Sequence, residues 1–319
     1  MATQFRRHRW QRTRQTPTEL TDLLTNIGAV NNVANIIMQL SLPGVGHGVN
    51  ESRVVSGSPR RYPIKRTRTT TQFLALALVG TDHDRDLMRS EIQRVHRAVV
   101  STADSPVRYS GNSPELQKWV AACLFRYYLD QYTILYGPLP EDALDSLVRS
   151  AAPLATGVQV RAGAWPTTWA EFQSYWDSMI PALSIAPEVK HDFETLADVS
   201  FVAEAWGPLG RPAGLLLGKQ FRFMTRGTLP PEFRELMGWS WTDADQRRFD
   251  RAIDRFRTID RVLNPWLLVL LYKAYVWDFR LRRTLGLPVL GRLKVSDFPI
   301  RDGAGRRLAA RVTSPPHAA

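Results

Sequence analysis

Apolar residues recur at helical spacing along most of this chain. From Thr18 to Leu40 they fall at Leu20, Leu23, Leu24 and Ile27, then at Val33, Ile36, Ile37 and Leu40, which predicts helix across the region. Pro43-Gly44-Val45-Gly46-His47-Gly48 follows. It lacks the Gly-Lys-Ser/Thr of a phosphate loop, so it predicts a surface turn, with His47 in a flexible setting. Phe73 to Val79 forms an apolar helix ending at Gly80, and Met88, Ile92, Val95 and Val99 make one stripe with His96 beside Val95. Leu116 to Leu135 predicts a long amphipathic helix closed by Gly137-Pro138. Pro140-Glu141-Asp142 opens another with proline and acids in its first turn. Thr168-Trp169-Ala170-Glu171 is a capping-box pattern ahead of Phe172, Tyr175, Trp176 and Met179. A helix after Pro187 runs through Phe193, Leu196 and Phe201 until Gly207–Pro212 breaks the chain. Leu229-Pro230-Pro231-Glu232 starts the next, and Thr242 caps a stripe of Phe249, Ile253, Phe256, Ile259 and Val262. No strict alternation is long enough for a sheet, so the fold class is all-α.

Charge changes this picture only at the ends. The formal net charge is +12 over 319 residues; residues 1–14 carry five Arg and no acid, and residues 280–311 carry nine Arg or Lys against Asp297 and Asp302. The body between is neutral overall. Three parts follow: a basic, disordered tail over 1–17, a helical domain over 18–285, and a basic Pro/Gly-containing tail over 286–319. Such tails ordinarily stay solvated. No nucleic-acid recognition module accompanies them, so specific nucleic-acid binding is not expected, while peripheral contact with an anionic membrane through the basic termini is the lesser alternative. The N-terminal arginines precede no apolar signal-peptide core, and the single cysteine, Cys123, lies in the apolar pattern Leu116, Val120, Leu124, Tyr127. Both point to a cytoplasmic protein with a packing cysteine. The most apolar run, Trp266 to Val276, is interrupted by Lys273 and is shorter than the roughly 20 residues a span needs. A buried helix with a basic end is the favoured reading, and one resting on a membrane surface the alternative.

The candidate chemistry centres on His96. An imidazole carried inward on a helix is either a core histidine bonded to a carbonyl or a ligand to haem iron, for which one inward His suffices. Spacing leaves both open. Its surroundings are more specific. Upstream runs Lys65-Arg66-Thr67-Arg68-Thr69-Thr70-Thr71-Gln72-Phe73-Leu74-Ala75-Leu76, a basic and threonine-rich cluster opening an apolar helix. Downstream runs Asn112-Ser113-Pro114-Glu115-Leu116-Gln117-Lys118-Trp119-Val120-Ala121-Ala122-Cys123-Leu124, and later Pro166-Thr167-Thr168-Trp169-Ala170-Glu171-Phe172. This order, over about residues 50 to 240, resembles the family of the latex-clearing rubber oxygenase and the fungal MpaB oxygenase.

That resemblance implies a globin-like helical core with additional helices, holding haem b (iron) with His96 as proximal ligand. It implies dioxygen on the opposite face beside Arg66, Arg68 and Thr70, and haem propionates paired with Lys65, Arg66 or Arg68. Cations opening a helix oppose its dipole and so ask for such a reason. The family pattern Arg-x-x-Lys-Thr matches Lys65-x-x-Arg68-Thr69 with the basic residues exchanged, whereas Arg66 and Thr70 fit better by distance to Phe73 and Gly80; a surface basic patch is the plain alternative. Glu51 precedes Arg66 and Arg68 by 15 and 17 residues, matching the place of a distal base in rubber oxygenase; the alternative is a loop acid facing solvent. Many relatives have His where this chain has Ala121.

The reaction class implied is a haem-dependent oxygenase acting on dioxygen and a lipophilic substrate, a terpenoid or unsaturated lipid. The ten tryptophans suit a lipophilic pocket and suit a plain core equally. Against it stand a non-catalytic helical protein binding haem, lipid or an anionic surface, and a haem sensor or carrier. His-Glu-x-x-His, Cys-x-x-Cys, Gly-x-Ser-x-Gly and Gly-x-Gly-x-x-Gly patterns are absent, which weakens zinc-enzyme, hydrolase and dinucleotide readings.

Overall fold

Fourteen helices can be followed in the computed structural model of the chain, which describes residues 16–30, 32–55, 62–198, 200, 211–263, 266–291 and 293–296. In order they are α1 (Asn26–Val30), α2 (Val33–Leu40), α3 (Pro43–Asn50), α4 (Pro63–Val79), α5 (Asp82–His96), α6 (Pro114–Tyr136) and α7 (Glu141–Ser150). There follow α8 (Ala152–Thr156), α9 (Trp169–Met179), α10 (Pro187–Ala197), α11 (Arg211–Thr228), α12 (Pro231–Met237), α13 (Asp243–Leu263) and α14 (Trp266–Thr284). Among the described residues there is no strand, only isolated bridges at Val54–Val295 and Val100–Ser110. The basic residues 1–15 and 297–319, with Phe201 and Gly207–Gly210, lie outside the described residues.

The central rod is α6. Ser113 caps it by accepting from the Leu116 amide, Pro114 occupies the first turn, and Gly137 ends it at φ +91°, a conformation costly for other residues. One face carries Trp119 and Phe125, both fully buried. Trp119 stacks on Trp176 of α9 at 5.0 Å between ring centroids, and Phe125 meets Phe172 edge to face at 4.9 Å. Each such ring removed from water contributes roughly 2–3 kcal/mol. The Trp119 indole N–H donates to the Gln39 carbonyl, fixing α2 against α6. Cys123 is buried in the same rod.

Caps set the helix starts. Thr81 and Asp84 form a reciprocal capping box on α5, as do Thr242 and Asp245 on α13. On α9 Thr168 accepts from the Glu171 amide, but the Glu171 carboxylate reaches Thr167 instead of returning to Thr168.

Four expectations are corrected. Thr18–Leu40 is not continuous: a 3-10 turn at Leu20–Leu23, α1 and α2 divide it, although its apolar residues still face the core. The glycine-rich segment expected as a surface turn is α3. A Cβ on Gly46 would stand 2.5 Å from the Leu40 carbonyl oxygen, and one on Gly44 3.0 Å from Leu116, so the glycines allow a helix to approach its neighbours closely. His47 is therefore buried, not flexible. Finally, α14 is not a buried helix: Val276 and Phe279 anchor it while Trp266, Leu267, Leu270, Leu271 and Trp277 stay exposed.

The start of the segment assigned to the C-terminal tail packs on the body. Val289 is buried, its carbonyl accepts from Arg68, and Val295 bridges Val54. Among the described residues no helix is long and apolar enough to cross a membrane.

Candidate active site

A cavity of about 310 Å³ lies where α2, α3, α4, α5, α6 and α8 converge. From α6 it receives Leu116, Gln117, Val120, Ala121 and Leu124, one stripe at spacings of three and four, on the rod's opposite side from the aromatic stack. Gly44 and Gly48, four residues apart on α3, admit that helix's backbone to the wall. Phe73 and Arg66, seven apart, come from one face of α4. Apart from Arg66, His96 and Gln117, the lining is predominantly apolar.

His96 is the last residue of α5 and the single imidazole on this wall among the described residues. Its Nδ1 lies 3.4 Å from Gln117 Nε2, which donates at 2.7 Å to the Gly111 carbonyl beside the ring. Gln117 is itself fixed, since its Oε1 accepts from the Gln159 amide. With Nδ1 turned to this polar edge, Nε2 is the nitrogen left for the cavity. Burial lowers the imidazole pKa, the Arg66 guanidinium lowers it further, and the Gly111 carbonyl only partly opposes them, leaving it at about 4. His96 is neutral at pH 7, the form that binds a metal. A Cβ on Gly111 would stand 3.1 Å from that of His96, so a glycine is needed for this close approach.

Arg66 retains accessible surface, yet burial lowers its pKa. Both hold if the surface it exposes is cavity wall. Among the described residues no hydrogen-bond or ion-pair partner meets its guanidinium, which leaves that group available to an anion. The other cations of the cluster turn elsewhere. Arg68 donates to Gln72 and to the Val289 carbonyl and stands 3.5 Å from Asp278; Lys65 points at Gly291, where an added Cβ would lie 2.6 Å from its amine. Thr70 shares the Arg66 and Phe73 face but is not part of the cavity lining. A helix turns 100° per residue, so Arg66 and Arg68 cannot serve one space.

Glu51 stands behind the wall. It accepts from Ser105 at 2.6 Å, from Tyr109 at 3.0 Å, and pairs with His47 Nδ1 at 2.8 Å. Burial would raise its pKa, but these three bonds outweigh it and hold the carboxylate below its ordinary value. Tyr109, which lines the cavity, has its pKa pushed up to about 12 by burial and by Glu51. Gln117, Tyr109 and Gly111 were not singled out from sequence. Gln117 had a signal, a polar side chain on the inward stripe of α6; the other two lie in an irregular segment with no periodicity to read. Among the described residues no three acidic, His or Cys side chains come together as a bare metal site; porphyrin iron asks the protein for a single ligand.

An all-α chain thus brings one neutral imidazole, and one guanidinium without a partner among the described residues, to one largely apolar cavity. Residues 23–258 match the model of the ER-bound oxygenase mpaB/B'/Rubber oxygenase catalytic domain, and the chain belongs to that family. It is also 42% identical over 253 residues to an uncharacterised protein of Mycobacterium tuberculosis and to one of Mycobacterium bovis, covering 79% of this chain and 96% of each relative. No solved structure gives a significant match.

Proposed function

We propose that this chain is a haem b-dependent oxygenase acting on a lipophilic terpenoid or unsaturated-lipid substrate. The observation that carries the reading is the pairing of His96 and Arg66 on one largely apolar cavity. His96 Nε2 would hold the iron, and the polar edge formed by Gln117 and Gly111 fixes the ring's orientation. Arg66, whose guanidinium has no partner among the described residues, would take a propionate carboxylate through charge-assisted hydrogen bonds. When bound, haem supplies the redox chemistry that dioxygen needs. The chain's own contribution is a dry wall of Val120, Ala121, Leu124 and Phe73 that excludes water and accepts hydrocarbon. Glu51 holds Tyr109 in that wall; Arg68 and Lys65 keep the α4 start in place against the C-terminal segment.

The test is spectroscopic. Purified protein reconstituted with haem is expected to show a Soret band at one haem per chain, lost or shifted in His96→Ala and retained in His47→Ala. A blank spectrum from folded, reconstituted wild-type protein would end the reading. One observation favours a haem-binding protein without turnover: Glu51 already accepts three hydrogen bonds and does not reach the cavity wall. Oxygen uptake with an isoprenoid hydrocarbon separates the two.

A further inference from the structure

The outward side of α14 reverses the ordinary pattern of a surface helix. Val276 and Phe279, 6% and 0% exposed, hold it to the body. Leu267, Leu270, Leu271, Trp277 and Leu281 recur at three- and four-residue spacing on the other side, each between 37% and 65% exposed. Ile64, at the start of α4, is 82% exposed, and Val262 at the end of α13 is 77% exposed. Between α4 and α14 runs an open groove of about 580 Å³ walled by Ile64, Thr67, Leu271, Ala274 and Tyr275, with Arg68 and Asp278, 3.5 Å apart, as its charged members. A contiguous apolar face of this kind marks an interaction site.

Charge decides what covers it. From Arg280 to Val295 the chain carries Arg280, Arg282, Arg283, Arg292 and Lys294 and no acid. Arg280 and Arg282 bond Asp84 and Asp278, while the exposed Arg283 has no partner among the described residues. A second copy of the chain would bring the same surplus of cations to the contact. A surface that is apolar within and anionic at its rim meets both needs, and leucines and tryptophan on one side with arginines at one end are what an interfacial helix presents.

We propose that α14, with Ile64 and the end of α13, docks on an anionic lipid bilayer. Leu270, Leu271 and Trp277 enter the boundary between headgroups and acyl chains, and Arg283 meets lipid phosphate. The opposite face of α4 carries Arg66 on the cavity, so docking places the cavity one helix away from lipid. The proposal stands whether or not the cavity holds haem.

Vesicle flotation of the full chain tests it. Protein is expected to float with phosphatidylcholine vesicles containing about 30% phosphatidylglycerol and much less with phosphatidylcholine alone. Leu270→Glu with Leu271→Glu is expected to lower the bound fraction about tenfold. Both positions are exposed, so circular dichroism and Tm should not change; Leu270→Ser with Leu271→Ser serves if the charged pair misfolds. Three results would overturn the proposal. These are wild-type protein that fails to float with anionic vesicles at low salt, binding indifferent to both pairs of substitutions, and a dimer in sedimentation that those substitutions dissolve.

Discussion

At His96 the Arg66 guanidinium adds to burial in keeping the ring neutral, and it can be removed alone. Arg66→Gln takes away a cation beside the imidazole, so the His96 pKa is expected to rise from about 4 toward its ordinary 6.5 in haem-free protein, followed by its NMR titration. The same variant should release haem faster from reconstituted protein, since a neutral amide cannot ion-pair with a propionate. At Glu51 the substitution Glu51→Ala takes away the acceptor of three hydrogen bonds and leaves Ser105, Tyr109 and His47 without it, at a cost of about 1–3 kcal/mol in urea unfolding. His96 was legible because period 3.6 put it next to a continuous apolar stripe. The division of Lys65, Arg66 and Arg68 among different neighbours was not, because a one-residue shift in register turns a side chain by 100° and motif matching tolerates that shift.

Among the elements, α3 shows tertiary contact overriding local preference. Glycine and proline lower helix propensity, and only the close approach to Leu40 and Leu116 explains why a helix forms where a turn was expected. Gly46→Ala should lower stability by about 2 kcal/mol or more, because its Cβ would meet a backbone carbonyl that cannot step aside. The long amphipathic helices were readable for the opposite reason: α6, α9 and α13 carry caps and periodic stripes that agree with one another. A second prediction concerns the tie between α5 and α14. Burial would raise the Asp84 pKa, but Arg280, at 2.7 and 3.2 Å, and the Thr81 cap outweigh it and hold it at about 2 against an ordinary 3.8. A carboxylate depressed on folding stabilises above its unfolded pKa and loses that contribution as pH falls. Stability should therefore drop between about pH 4 and pH 2, by about 1–2 kcal/mol once the exposure of Arg280 is allowed for. Asp84→Asn should flatten that part of the pH profile.

For the molecule as a whole, α6 divides the interior. Its Trp119 side belongs to the aromatic stack with Trp176 and Phe233, and its Val120 and Leu124 side to the cavity. The all-α class followed from periodicity alone, since no segment alternates. The cavity did not follow, because six helices build it and only their mutual placement creates the space. The outward face of α14 was illegible for a related reason: an apolar run reads alike whether protein or another apolar surface covers it.

The sealed position of Cys123 on α6 has a practical consequence. Burial pushes its thiol pKa well up, and it is the sole cysteine of the chain. An alkylating reagent in solution thus finds nothing to modify until the bundle opens, and the mass of the adduct can register only that event. Timed with and without a bound prosthetic group, the reaction becomes a clock for how firmly an occupant shuts the structure, read in the spectrometer as one added label per molecule.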